Sequence, residues 1–553
     1  MVSLVKRRVR RQHYWYLVES GRVNGKPRIV WQKYLGTPAR VKEMLERAGT
    51  GGPIEVDVAL FGSAPLLRIA SELRLAEAVD MIVPKRDQGY SVGEHILIAA
   101  INRCLAPCSK RRIRPWFEET ILPRVLGNKE GLSSQDYWNH MDRIGDGEIE
   151  AIQFDVSARL AKRFGVSVDF LYFDPTNFST YIQEHEENEI PEFGKAKDHR
   201  SDLRLIGLAL LASRDHGIPL LHRTYPGNLH DSPLFQEEIP KVRRWIEKLG
   251  KKPGDVNLVF DKGNNSEDAL DLIESLDMHY VGSLKPSLHE NLIRLPLKRF
   301  RPCYGEGEQR TLAYRTRQRA HGRDVTVVMT YNTLLAKQLH AKMGNILDAM
   351  EERILAFSEA LERSQEKTRS GRKRSLGKLR EQVRELLGRS EPLFRWSADR
   401  QGRGPLRLVW SRDDEAIKRR ARGFGRTLIF TDRHDWGDEA IVRAYRSKAV
   451  IEDNFRRLKD TSYLSDTPQF HWTDSKIKTH QLICHLALQL LGILQRQLRR
   501  TGHNLTIDEL AEELQRWYQV VLLYPGGRVE RRLRPMSPVQ EALHRELQLG
   551  SYH

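Results

Sequence analysis

VDFLYFDPTNF, residues 168–178, closes an apolar run on an aspartate, Asp174. A short apolar run followed by turn-forming residues reads as a buried strand. A second run of the same kind, VNLVFDKGNN at 256–265, closes on Asp261. A third carboxylate, Glu452, lies far downstream in AYRSKAVIEDNFRRLK at 444–459, a helical pattern studded with cations. Three carboxylates drawn from distant parts of a basic chain form the donor set that two-metal phosphoryl transfer on a polyanion requires. Each aspartate alone also reads as a turn or helix cap, and Asp174 before Pro175 suits that role.

The surroundings of Asp174 and Asp261 are ordered. After the strand at 168–182 comes a polar loop, GKAKDHRSD (194–202), then LRLIGLALLAS (203–213) and GIPLLHRTY (217–225), separated by a turn-like RDHG. A helix is predicted over 232–249, then strand VNLVF (256–260), helix SEDALDLIESL (266–276) and strand MHYVGSL (278–284). Three strands followed by alternating β and α describe a mixed sheet flanked by helices. The order matches the ribonuclease-H-like topology, in which carboxylates on the first and fourth strands meet beside a late helix. The fold class expected is therefore α/β.

Composition agrees with a phosphate-backbone partner. The chain has 553 residues, enough for several domains, and 91 Lys plus Arg against 73 Asp plus Glu give a net charge of +18. Basic clusters recur at KRRVRR (6–11), SKRRIR (109–114), 363–389 and RQLRR (496–500). An excess of this kind favours nucleic acid through counterion release. The four cysteines Cys104, Cys108, Cys303 and Cys484 have neither disulfide nor zinc-motif spacing and read as reduced. No apolar stretch opens the chain, and HQLICHLALQLLGILQRQL (480–498) is too polar and short for a bilayer span. It reads as a core helix with His485 as a core histidine, and a cytoplasmic protein without membrane partners is expected.

Six segments follow. Residues 1–60 form a β-hairpin module around Asn24-Gly25, a strong hairpin dipeptide. Residues 61–165 are helical, in runs such as PLLRIASELRLAEAVD, and suit DNA binding or dimerisation. The catalytic core occupies 166–285 and 436–500. Residues 286–435, with short strands and a charged helical stretch at 333–389, form an inserted subdomain. Residues 501–553 are a helical tail.

Tyr445, Lys448, Glu452 and Lys459 share one stripe of one helix, because steps of four and seven residues return to within about 40° and 20°. Ordinary ion pairing on a solvated helix is the bland alternative. The stripe resembles the signature of DDE-type transposases of bacterial insertion sequences: Tyr, two residues, Arg, three residues, Glu, six residues, Lys. The sequence departs from it at Lys448, where the pattern has Arg, which grips phosphate bidentately. YFDPTNFSTY, GKAKDHRSDLRLIGLALL with GIPLLHRTYPGN, and LVFDKGNNSEDAL are similar to the family's aspartate segments, so the likeness covers roughly 168–285 and 436–500.

The resemblance implies that Asp174, Asp261 and Glu452 hold two Mg²⁺ ions, with Mn²⁺ as a substitute. Water or a DNA 3′-hydroxyl would attack in line, first freeing the element's ends and then joining them to target DNA. It implies cut-and-paste through a hairpin, terminal phosphates held by Tyr445, Lys448 and Lys459, double-stranded DNA as partner, a homodimer in the DNA complex, and a bacterial, nucleoid-associated setting. Lys197, His199 and Arg200, in the polar loop after the first strand, are further DNA-binding candidates. The run at 369–375 suits either a phosphate clamp or a solvated linker. Base-stacking tryptophans are expected among Trp396, Trp410 and Trp436. Two alternatives remain: a nuclease of the same fold that never joins strands, and a non-catalytic DNA-binding relic.

Overall fold

The basic run near the start is a strand. In the computed structural model β1 (Val2–Val9) pairs antiparallel with β2 (Gln12–Val23), which pairs with β3 (Lys26–Gly36). The Val23↔Lys26 pair closes the expected hairpin, and Asn24 and Gly25 themselves lie outside the described residues. Lys6 and Arg7, exposed on the outer strand β1, discourage further strand pairing there.

The structure describes residues 2–9, 12–23, 26–47, 53, 55–85, 88–182, 188–197, 202–305, 310–367, 375–400, 404–466 and 469–552. The chain forms two units. One comprises Met1–Val259, Leu272–Met278 and Ser447–His553, and the other Phe260–Asp271 and His279–Arg446.

In the first unit, β4 (Glu55–Leu60) leads into seven helices between Ser63 and Phe164, as the helical periodicity of 61–165 predicts. Ser91 with Glu94, and Ser133 with Asp136, form capping boxes that start two of them. The strands β5 (Phe170–Thr180), β6 (Arg204–Ser213), β7 (Pro219–Pro226) and β8 (Asn257–Val259) lie in the order β8-β5-β6-β7. β5 runs antiparallel to β6 and parallel to β8, and β6 runs antiparallel to β7. β6 is buried over nearly its whole length, which its unbroken apolar run requires of a central strand. The RDHG turn between β6 and β7 has two left-handed residues, His216 and Gly217, as a tight hairpin demands.

The helix Asp474–Arg500 is the axis of this unit, packed on Val92–Leu105, on Ser63–Glu72 and on β7. At 27 residues it is longer than its apolar stretch predicts, and 94% of its most apolar window is buried within the protein. Its polar residues are spent internally. Gln489 donates to Ser157 and to the Pro219 carbonyl (3.1 and 2.9 Å), and Arg496 pairs with Asp215 (2.8 Å). His485 is a core histidine beside His222, with ring centroids 4.7 Å apart, and burial holds it neutral, with a pKa near 3.

The second unit holds β9 (His279–Leu284), β10 (Arg301–Tyr304), β11 (Thr311–Ala320), β12 (Arg323–Asn332), β13 (Phe394–Arg400), β14 (Leu406–Arg412) and β15 (Arg426–Thr431). Five of them form an antiparallel array in the order β10-β11-β12-β15-β9. β11 and β12 are ten residues each, longer than the short strands expected, because the His321-Gly322 turn, with both φ positive, joins them directly. The charged stretch becomes helices Thr333–Lys367 and Leu376–Leu387. They bury Leu347, Ile354, Leu379 and Val383 against Phe394 and Leu406 of the β13–β14 hairpin. Arg369 to Arg374, most of the basic run at 369–375, lie outside the described residues.

The last segment belongs to the first unit and is not simply helical. Between helices Ile507–Gln515 and Pro538–Glu546 it forms β16 (Tyr518–Leu523) and β17 (Val529–Leu533). β16 pairs antiparallel with both β17 and β4. The turn around Pro525-Gly-Gly and the alternating burial of β16 explain the hairpin.

Candidate active site

Asp174 sits within β5, opposite Leu210 of β6, and not at the strand's end as its apolar run suggests. The parallel pairing with β8 does end nearby, at Tyr172↔Val259, so Asp174 lies two residues beyond the last pair. Pro175, which cannot donate to a ladder, falls past that pairing too, where its missing N–H costs nothing on the β8 side.

The helix expected over 444–459 is two helices, Asp438–Arg446 and Ala449–Leu458. Fresh i+3 bonds, Val450 N to Ser447 O and Ile451 N to Lys448 O, open the second one. Serine competes for backbone hydrogen bonds and is a weak helix former, which suits a break at Ser447. The four-residue stripe is therefore interrupted between Tyr445 and Lys448.

The helix Ala449–Leu458 packs on β5. Lys448, at its N-cap and largely buried, places Nζ 3.7 Å from Asp174 Oδ1. Glu452, four residues on, is exposed in the first turn, where the helix dipole favours a carboxylate. Lys459, at the C-cap, lays its ammonium over the Phe178 ring of β5, 5.2 Å from the centroid. Asn454 fixes the helix from behind, donating to the Gly217 carbonyl at 2.6 Å. Gly217 has φ +67, and a Cβ there would stand 2.8 Å from Val450 Cβ, so this close approach needs glycine.

Lys197 folds back on the same strand. Its ammonium bonds the Pro175 carbonyl, and its backbone N–H donates to Asn177 Oδ1 at 3.2 Å. Asn177 in turn donates to the Lys195 carbonyl at 3.0 Å. His199 and Arg200 lie outside the described residues.

In the second unit Asp261 precedes a short 3₁₀ turn, Lys262–Asn264, but its side chain does not cap it. The carboxylate is 3.1 Å from the Tyr445 phenol and 3.3 Å from Ser283 Oγ, and the two hydroxyls are 2.8 Å apart. The helix carrying Tyr445 is anchored by Arg315, which donates to the carbonyls of Trp436 and His434 and to Asp438 (2.7, 2.9 and 2.9 Å). Trp396 and Trp410 pair across β13 and β14 and pack on the apolar cluster beneath, while Trp436 is half-buried under Arg433.

Sequence reasoning missed Ser283, Asn177 and Asn454. Each acts as a hydrogen-bonding partner across the fold, and a single polar residue in a strand or helix carries no spacing signal for that. Asp174 and Glu452 in the first unit and Asp261 in the second are all carboxylates, a ligand type that suits a hard divalent cation.

No family model and no curated protein matches this chain. Among solved structures the chain is similar to the piggyBac transposase synaptic complex with hairpin DNA, determined by cryo-EM. The identity is 9% and the TM-score 0.37, over 82% of this chain and 79% of that one. A likeness of that size settles neither fold nor chemistry, and the function proposed for this chain rests on its own residues.

Proposed function

We propose that this chain is a DNA transposase of the insertion-sequence type, with a ribonuclease-H-like core that cuts the element's ends and joins them to target DNA. The observation that carries this reading is the packing of the Glu452 helix against β5, with Lys448 3.7 Å from Asp174. The strand pattern supports it: β6 pairs antiparallel with β5 and with β7, β8 pairs parallel with β5, and Asp174 lies two residues past Tyr172 of the last parallel pair.

Asp174, Asp261 and Glu452 would together hold two Mg²⁺ or Mn²⁺ ions, which supply activation of the attacking oxygen and stabilisation of the leaving 3′ oxygen. Lys448 holds the Asp174 carboxylate in place and adds positive charge where a phosphate arrives. Tyr445 and Ser283 orient Asp261 in the same way. Lys459 and Lys197, both exposed beside β5, are placed to meet a DNA backbone. Cut-and-paste through a hairpin, a homodimer on paired ends and a bacterial cytoplasmic setting complete the proposal.

The test uses a duplex carrying the element's terminal repeat, with Mg²⁺. Asp261→Ala abolishes cleavage while DNA binding survives, and a pre-nicked end is joined to target by the wild-type protein. Normal cutting by Asp261→Ala contradicts the assignment. Hydrolysis without joining makes the chain a nuclease instead.

A further inference from the structure

Beyond the helix Ala449–Leu458 the chain turns inward through two consecutive left-handed residues that are not glycine, Leu464 (φ 58°) and Ser465 (φ 45°). Such backbone is strained and persists only where its surroundings hold it. Arg103 supplies that hold. Its carbonyl accepts from Leu464 N at 2.7 Å, and its guanidinium donates to the Ser465 carbonyl at 3.2 Å and the Cys108 carbonyl at 3.0 Å.

The turn delivers Asp466 into the core with no exposed surface. There Asp466 Oδ1 lies 3.6 Å from His480 Nε2, which lies 3.7 Å from Cys484 Sγ. All three ligand atoms fall within 4.8 Å of one another, and all three residues are buried. His480 and Cys484 are four residues apart on one face of the helix Asp474–Arg500. Bond lengths of about 2.0–2.3 Å in a tetrahedral zinc site imply ligand-to-ligand edges of about 3.3–3.6 Å. The two measured edges are close to that range.

We propose that Asp466, His480 and Cys484 bind a structural Zn²⁺ ion that ties the segment after the Glu452 helix to the central helix. Carboxylate, imidazole and thiolate together select zinc over Mg²⁺ or Ca²⁺. The ligand atoms hold partners within the cluster, the Cys484 thiol also facing the Leu464 carbonyl at 3.7 Å, while two polar atoms beside them do not. Gln469 and Gln481 donate to the carboxylate at 2.7 and 2.9 Å. Gln469 Oε1 and His480 Nδ1 are buried without a hydrogen-bond partner among the described residues.

Basic groups face the cluster, and the Asp466 carboxylate with a Cys484 thiolate would offset them on metal binding. The Arg103 guanidinium is committed to carbonyls, and burial lowers Lys110 to about 7. His471, whose ring centroid is 4.7 Å from that of His480, is held neutral by burial. The Cys104 thiol donates to the Ala487 carbonyl at 3.4 Å, so the fourth position is left to water. Zinc binding displaces the thiol proton of Cys484 to solvent and forms the Zn–S bond, with no redox change.

The experiment measures zinc by mass spectrometry in the full chain, expressed with added Zn²⁺ and washed with a mild chelator. About one zinc per chain is expected in the wild type, with near-complete loss in Cys484→Ser and His480→Gln. Wild type without zinc, or both variants with full zinc, overturns the proposal. If the variants do not fold, Co²⁺-loaded wild type decides. A cobalt–thiolate charge-transfer band supports the site, and its absence refutes it.

Discussion

Lys448 holds its ammonium 3.7 Å from a carboxylate oxygen of Asp174, and both side chains are largely shielded from water. The lysine sits at the start of one helix and the aspartate inside a strand, so the pair joins the two elements that carry two of the three proposed metal ligands. Removing one partner of a shielded ion pair leaves the other charge poorly solvated.

Lys448→Ala should therefore destabilise the fold by about 1–3 kcal/mol and slow end cleavage at least ~10-fold. Lys448→Arg keeps the charge and should restore part of both losses. Denaturant unfolding and cleavage assays check this, and an alanine variant with wild-type stability and rate contradicts the role.

Tyr445→Phe retains the ring and deletes the hydroxyl that meets Asp261 and Ser283. A net loss of about 1 kcal/mol in stability is expected. The larger effect should fall on cleavage, with a weaker one in Ser283→Ala, because the phenol lies nearer the Asp261 carboxylate (3.1 Å) than the serine hydroxyl does (3.3 Å). Equal rates for wild type and Tyr445→Phe would remove the phenol from the account.

Gly217→Ala forces a left-handed alanine and a Cβ against Val450. A penalty of about 1–3 kcal/mol follows from the conformation alone. Asn454→Ala, which frees the Gly217 carbonyl, should cost about 1–2 kcal/mol. Unfolding midpoints measure both; a neutral Gly217→Ala contradicts the close approach.

Of the fold, the run from β5 to β9 was legible because each strand is a short apolar run and each helix keeps its own period. The buried helix Asp474–Arg500 was legible for the same reason. The pairing of β4 with β16 was not, since the partners lie more than 450 residues apart and long-range pairing leaves no local mark. Lys6 and Arg7 hid β1, because charge obscures a strand whose stability comes from edge pairing. The weak signal of Ser447 was masked in the 444–459 pattern, where the cations continue in helical spacing on both sides. The proposed zinc ligands escaped because Asp466 and Cys484 meet only through the strained Leu464–Ser465 turn.

His95 gives the protein an acid weakness. Its ring is buried and stacked on His140 with centroids 4.1 Å apart. Burial lowers its pKa from 6.5 to about 4, although the carbonyls of Ser91 and Gly131 each lie 2.8 Å from a ring nitrogen and favour the charged form. The unfolded chain thus binds more protons between pH 6.5 and 4, so stability falls as pH drops through that window, by about 3 kcal/mol in all. His95→Gln should flatten this slope in denaturant unfolding at pH 7 and pH 5. An unchanged slope contradicts the assignment.

Diffraction from the DNA-bound protein soaked in Mn²⁺, at the manganese absorption edge, tests the shared metal site most directly. Two anomalous peaks coordinated jointly by Asp174, Asp261 and Glu452 are predicted. Manganese bound to any one of these carboxylates without the other two, in a complex engaged with its DNA end, would contradict it.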